Sequence, residues 1–159
     1  MVAIREADIS DLDPVRSLLF QTWRHTFEPL HGRQHVDKIC ALWEDGRELK
    51  ARLEAQDATF LVAQLDQQTI GMAFANAPNA EGIAYLSQLY VLPDYQAQGI
   101  GSDLLYEIET SFPDAKLMRL GVDAKNVKAV GFYERFGYRN TNIRLQEGGM
   151  EALVFEKQL

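Results

Sequence analysis

The stretch Leu89-Tyr90-Val91-Leu92-Pro93-Asp94-Tyr95-Gln96-Ala97-Gln98-Gly99-Ile100-Gly101-Ser102 reads as three elements in succession. It begins as an apolar strand. Pro93 ends that strand, because proline has no N–H to give to a sheet ladder. A polar loop carrying Gly99 and Gly101 follows, and from Ser102 the apolar residues Leu104, Leu105, Ile108 and Phe112 return at helical spacing. A strand, a glycine loop and a helix aim backbone N–H groups and the positive end of the helix at one point, which suits an anion. Glycine matters there because a side chain would hold a phosphate away from the backbone. Two phosphate signatures do not fit. The dinucleotide fingerprint needs a third glycine where this chain has Leu104, and Gly101 is followed by Ser102-Asp103 rather than by Lys-Ser/Thr.

Downstream, Lys116 to Val122 reads as a strand, and a strand–helix–strand crossover of this length makes a parallel pair. Asn126 is a good N-cap for a helix with Val127, Val130, Tyr133 and Phe136 at helical spacing. Gly137 suits the left-handed position that ends it. Tyr138–Leu145 and Met150–Phe155 form a last hairpin around Gly148-Gly149. Upstream, Phe60–Leu65 and Thr69–Ala75 are paired strands around the turn Asp66-Gln67-Gln68, and Ile83–Val91 is the third strand of the meander. Val2–Ala7 is a short first strand. Asp11 or Asp13 caps the next helix, with Pro14 in its first turn and Val15, Leu18 and Leu19 inward, and this segment ends at Pro29 and Gly32. A second helix buries Val36, Ile39, Cys40 and Trp43. Gly46 interrupts it before a charged helical turn carrying Leu49 and Leu53.

A chain of 159 residues, 47% of them hydrophobic, suits one domain over 1–159 with a proper core. The net charge of −7 argues against a nucleic-acid partner. Cys40 is the sole cysteine, so no intrachain disulfide and no cysteine-rich metal site can form, and three scattered histidines argue against a metal site. Met1 to Ala7 has no signal pattern, and no apolar run is long enough to cross a membrane. The expectation is a cytoplasmic protein with no metal and no membrane partner.

Two blocks carry a family resemblance. One is Gln96-x-x-Gly99-x-Gly101 after a strand ending Val-x-Pro. The other is Asn126-x-x-Ala129-x-x-Phe132-Tyr133-x-x-Phe136-Gly137-Tyr138. Together they resemble the GCN5-related N-acetyltransferase (GNAT) superfamily, whose element order the chain follows over essentially its whole length. The resemblance implies a single α/β (α+β) domain. Its mixed sheet would have about seven strands flanked by about four helices, splayed between the two central parallel strands. It also implies acetyl-CoA as co-substrate. The backbone of Leu89, Tyr90 and Val91 would meet the acetyl and pantetheine part as an added strand does. Ala97, Gln98, Gly99, Ile100, Gly101 and Ser102 would wrap the pyrophosphate. Gln96 and Gln98 are milder than the arginine often found in that loop, so backbone amides carry more of the binding. Asn126, otherwise an ordinary cap, would bond the cofactor.

By the same resemblance Tyr133 is the general acid for the departing thiolate. Tyrosine stays protonated at neutral pH and can donate. From composition alone Tyr133 would be a core aromatic. The strand before the loop, Tyr85-Leu86-Ser87-Gln88-Leu89, has no carboxylate where some family members carry a glutamate. Proton removal then falls to ordered water lined by Ser87, Gln88 or Tyr85, with His25 an alternative.

The acceptor belongs over the first two helices, with Trp23, Phe27 and Ser87 lining its site. The Thr-Phe of Trp23-Arg24-His25-Thr26-Phe27 looks like the subgroup that acetylates spermidine and spermine. Aromatic faces with carboxylates such as Glu28 suit an ammonium-bearing chain. The implied function is an acyltransferase moving acetyl from acetyl-CoA to a small primary amine, a polyamine being one candidate, directly within a ternary complex. The alternatives are a protein N-terminal or lysine acetyltransferase and a non-catalytic acyl-CoA-binding module. A homodimer is left open.

Overall fold

The computed structural model describes residues 1–159. One seven-stranded sheet has the order β1-β2-β3-β4-β5-β7-β6. The strands are β1 Ala3–Glu6, β2 Ala58–Leu65, β3 Gln68–Asn76, β4 Ile83–Val91, β5 Leu117–Asp123, β6 Arg139–Glu147 and β7 Met150–Gln158. Every neighbouring pair is antiparallel except β4–β5. The helices are α1 Leu12–His31, α2 Arg33–Ala41, α3 Arg47–Glu54, α4 Ile100–Thr110 and α5 Val127–Arg135. No helix is long and apolar enough to cross a membrane.

α1 and α3 pack on one face of the sheet, where Trp23 of α1 lies edge-on to Tyr90 and Arg52 of α3 sits over the Phe74 ring, and α2 packs on α1. α4 packs on the other face, where its Leu104 lies against Gly71. Val15, Leu18, Ile70, Met72, Leu104, Ile108 and Phe155 are sealed between these layers. That burial drives the association of helices and sheet.

The central strands splay. β4 and β5 pair only through Ile83–Leu86 and Leu117–Leu120, although β4 runs on to Val91 and β5 to Asp123. The register of β4 against β3 jumps from Ala75↔Leu86 to Phe74↔Gln88, so Ser87 is a bulge residue. A bulge bends its strand and increases the local twist, which turns the far half of β4 away from β5.

The first helix differs from its sequence reading at both ends. Asp8 opens the segment in a capping box with Asp11 over a single 3-10 turn. Asp11 stands at the N-cap of α1 but spends its carboxylate on Arg5 and on the Asp8 N–H, and Asp13 pairs with Arg16 on the surface. The helix runs through Pro29. A proline in the last turn removes only the bond to the His25 carbonyl. The stop comes at Gly32 (φ 89°), whose N–H reaches the Glu28 carbonyl at 2.9 Å. There are five helices rather than about four, because the charged turn after Gly46 forms the full helix α3.

Candidate active site

The splay leaves a cavity of about 470 Å³ between β4 and β5. Leu86–Val91 and Leu120–Asp123 form its walls. The loop before α4 closes one end and Thr22, Thr26 and Phe27 of α1 the other, while α5 lies alongside. Beyond Leu86 the β5-facing edge of β4 has no strand partner, so its backbone groups are free to bond a ligand.

At the loop end the N–H groups from Ala97 through Ser102 donate to no protein acceptor. The chain bends there with Ala97 at φ 61° and Gly99 at φ 87°. The Ser102 hydroxyl closes the turn onto the Gly99 carbonyl at 2.9 Å, and Gln96 Nε2 ties it to the Val91 carbonyl at 2.9 Å. A run of unpaired N–H groups at a helix N-terminus is an anion cradle. Ala97, Gly99, Gly101 and Ser102 line the cavity. Gln98 and Ile100, expected in the same loop, are not on the cavity wall: Ile100 is buried in the core and the Gln98 amide turns back to the Asp94 carbonyl. Two cations that the sequence reading missed, Lys128 and Arg135 of α5, also line the cavity. They share a helical face with Phe132, a spacing that could have shown them.

Tyr133 lines the same cavity and its hydroxyl has no protein partner, yet it is not sealed from solvent. Burial, with a smaller contribution from nearby Tyr90, holds its phenol well above the ordinary value, so it stays protonated. Burial likewise pushes Tyr90 up to about 12. The Asn126 side-chain oxygen caps α5 by accepting the Ala129 N–H at 3.2 Å, which leaves its NH₂ group without a protein partner. Leu89, Tyr90, Val91 and Asn126 all lie on the cavity wall.

On the α1 side Phe27 and Ser87 line the cavity, and the Ser87 hydroxyl bonds Asn76 at 3.3 Å. Trp23 lies behind them, 6% exposed and packed between Phe27 and Trp43. Gln88 is held by Arg52 at 2.6 Å. His25 is exposed on the outer side of α1 and is not on the cavity wall. His31 is not on that wall either, but it bonds a residue that is. His31 Nε2 lies 2.5 Å from Asp123 Oδ2, and Asp123 is a wall residue. Nearby, the Glu147 carboxylate reaches from β6 over Gly121 to bond the Tyr85 hydroxyl at 3.1 Å. Burial first, then Glu147, pushes Tyr85 up to about 12. Neither carboxylate was visible in the sequence, since strand pairing far along the chain puts Asp123 on the cavity wall and Glu147 beside the wall residue Gly121. No cluster of metal-ligating side chains is present.

The acetyltransferase (GNAT) domain family matches residues 30–159. The aminoglycoside N(6')-acetyltransferase type 1 of Acinetobacter genomosp. 13 is 28% identical over 99 residues, which cover 60% of this chain and 66% of that protein, just under two thirds of its length. The enzyme of the same name from Stenotrophomonas maltophilia is 28% identical over 114 residues, covering 63% and 74%. The fold is that of the PaiA N-acetyltransferase from Thermoplasma acidophilum, solved in complex with coenzyme A. The TM-score is 0.90 at 22% identity, over 100% of this chain and 99% of that one. With a family match over most of its length and a splayed sheet that opens onto a free anion cradle, the chain belongs to the GNAT acetyltransferase family.

Proposed function

We infer that the chain, 1–159, works as one N-acetyltransferase domain that moves an acetyl group from acetyl-CoA to a small primary amine. The observation that carries this reading is the run of free N–H groups from Ala97 to Ser102, four of whose residues line the cavity that Tyr133 also lines. The run suits a pyrophosphate, with Lys128 and Arg135 adding positive charge. The open edge of β4 suits an amide-bearing arm in extended form. In this reading Tyr133 protonates the departing thiolate, and its raised proton affinity means that the hydroxyl still carries its proton when the C–S bond breaks. Cys40 is buried in α2 and is not on the cavity wall, which favours direct transfer within a ternary complex over an acyl-cysteine intermediate.

The acceptor side favours a cation. Asp123 and Glu147 stand near it, Phe27 supplies an aromatic face, and the chain carries a net charge of −7. Polyamines and aminoglycosides share that chemistry, and the aminoglycoside acetyltransferases among the relatives support the class. A cytoplasmic site of action, with acetyl-CoA to hand, is part of this reading.

The test is acetyl-CoA turnover, read as thiol release, over a panel of spermidine, a short diamine, an aminoglycoside and peptides with free N-termini. Turnover of polycations supports the reading. Turnover confined to peptides overturns the small-molecule assignment. Coenzyme A binding without turnover of any amine would leave a binding module.

A further inference from the structure

We propose that Gln88 selects the acetyl acceptor. It selects an amine that bears an oxygen close to the reacting nitrogen, a hydroxyl or a carbonyl, over a plain alkyl polyamine; this rests on the acetyltransferase reading above.

Gln88 is a polar side chain only 7% exposed, and it is a wall residue of the cavity that Tyr133 lines. Its Oε1 accepts from the Arg52 guanidinium at 2.6 Å. Arginine carries donors and no acceptor, so the amide atom facing it must be the oxygen. The NH₂ group therefore points the other way. Arg52 is itself held, by the Glu48 carboxylate at 3.2 Å and over the Phe74 ring at 5.0 Å. A flipped amide would set NH₂ against guanidinium, so α3 locks the orientation from behind the strand.

The NH₂ group donates to no protein acceptor, and it is not among the sealed polar atoms. For a side chain so deeply buried, the free space it borders is the cavity. The Thr22 and Ser87 hydroxyls on the same wall are directed elsewhere, to the Leu18 carbonyl at 2.9 Å and to Asn76 at 3.3 Å. Gln88 thus presents a fixed donor into the site with nothing from the protein to accept it.

Its position sets what it meets. Past the bulge at Ser87, Gln88 and Tyr90 share the face of β4 that looks toward α1 and α3, as their contacts with Arg52 and Trp23 show. Two residues along a strand span about 7 Å. In the reading above the thioester lies along the open edge of β4 at Leu89–Val91, so a group bonded to Gln88 belongs to the acceptor and lies a few bonds from its attacking nitrogen. A polyamine offers N–H donors and methylenes there, and either would leave the Gln88 donor desolvated and unpaired. An oxygen on the acceptor satisfies it. A site built to hydrogen-bond one polar atom of a substrate discriminates against the analogue that lacks it.

The experiment uses diaminopropane and diaminopropanol, which differ by one hydroxyl, and glycinamide, which presents a carbonyl. The quantity read is the ratio of kcat/KM for each oxygen-bearing amine to that for diaminopropane. The amines' own proton affinities are common to all proteins compared and cancel. Gln88→Met keeps the length of the side chain and removes the amide, and the ratio should fall at least about tenfold from its wild-type value. Gln88→Glu keeps an oxygen for Arg52 and puts a second where NH₂ stood, so its ratio should fall further still. Coenzyme A binding shows that each variant has formed the cavity. Whether diaminopropanol or glycinamide shows the larger fall tells a hydroxyl from a carbonyl, and either supports the proposal. Equal losses with all three amines, or none, would make Gln88 a packing partner of Arg52 and overturn it, while wild-type turnover leaves the acetyltransferase reading intact. A wild type that binds coenzyme A and turns over no amine overturns that reading instead. The proposal is then judged by NMR of the Gln88 side-chain NH₂ in the coenzyme A complex. Its signals should shift with diaminopropanol or glycinamide and stay in place with diaminopropane, and no shift with any of the three overturns it.

Discussion

A Cβ placed on Gly101 would lie 3.4 Å from the edge of the Phe132 ring. α4 and α5 therefore meet across the mouth of the cavity at ordinary contact distance, with only hydrogen between the Gly101 backbone and the space where an anion would sit. One methyl group could be accommodated by the protein. A branched side chain could not, because its second methyl must enter either the Phe132 ring or the cradle. Gly101→Val is expected to raise the coenzyme A Kd at least tenfold, about 1.4 kcal/mol. Calorimetry on the folded variant checks it, and unchanged binding would remove Gly101 from the cradle.

Tyr133→Phe keeps the ring and its contacts with Phe132 and Tyr138 while removing a hydroxyl that no protein group uses. Stability should hardly move. If the hydroxyl protonates the leaving thiolate, kcat falls about 10²–10⁴-fold with acetyl-CoA binding nearly unchanged. A loss confined to KM would make it a binding group. A kcat within about threefold of wild type, measured where chemistry limits turnover, would make Tyr133 a packing residue.

Trp23 and Phe27 stack at 4.2 Å between ring centroids, yet Phe27 alone of the two is on the cavity wall. Their alanine variants should separate. Trp23→Ala empties a core site between α1, Trp43 and Tyr90 and is expected to cost about 3–5 kcal/mol in urea unfolding. Phe27→Ala should also raise the amine KM more than the acetyl-CoA KM. An amine KM raised equally by both variants would place Trp23 at the acceptor as well.

Asp11 is 3% exposed and joined to Arg5 through two 2.8 Å bonds. The Arg5 hydrogen bonds, with help from the Asp8 backbone, hold its carboxyl below the usual 3.8. A depressed folded-state pKa contributes stability that is present above the unfolded value and is lost as pH falls through the folded one. Asp11→Asn should therefore cost about 1–3 kcal/mol at neutral pH. Its stability should then fall less steeply than that of wild type below about pH 4. Urea midpoints across that range check the sign, and parallel curves would mean that the pair contributes nothing.

Local pattern sufficed for much of this protein. Pro93, Gly99 and Gly101 announce strand, loop and helix because each acts through its own backbone. The apolar spacings of α4 and α5 and the Asn126 cap are equally local, and they are why seven strands and the parallel crossover could be read in order. Trp23 shows where such reading stops. Helical spacing says that it faces inward, but it does not say whether inward means core or cavity.

Only the tertiary structure decided the acceptor side. The bulge at Ser87 opens β4 from β5, a property of paired register rather than of either strand's residues. Asp123 lies 92 positions from His31, and Glu147 lies 62 from Tyr85. Each pair exists because β5 runs beneath the end of α1 and beside the β6–β7 hairpin. Charge and hydrogen bonding act over a few ångströms in space, so no window along the chain contains both partners.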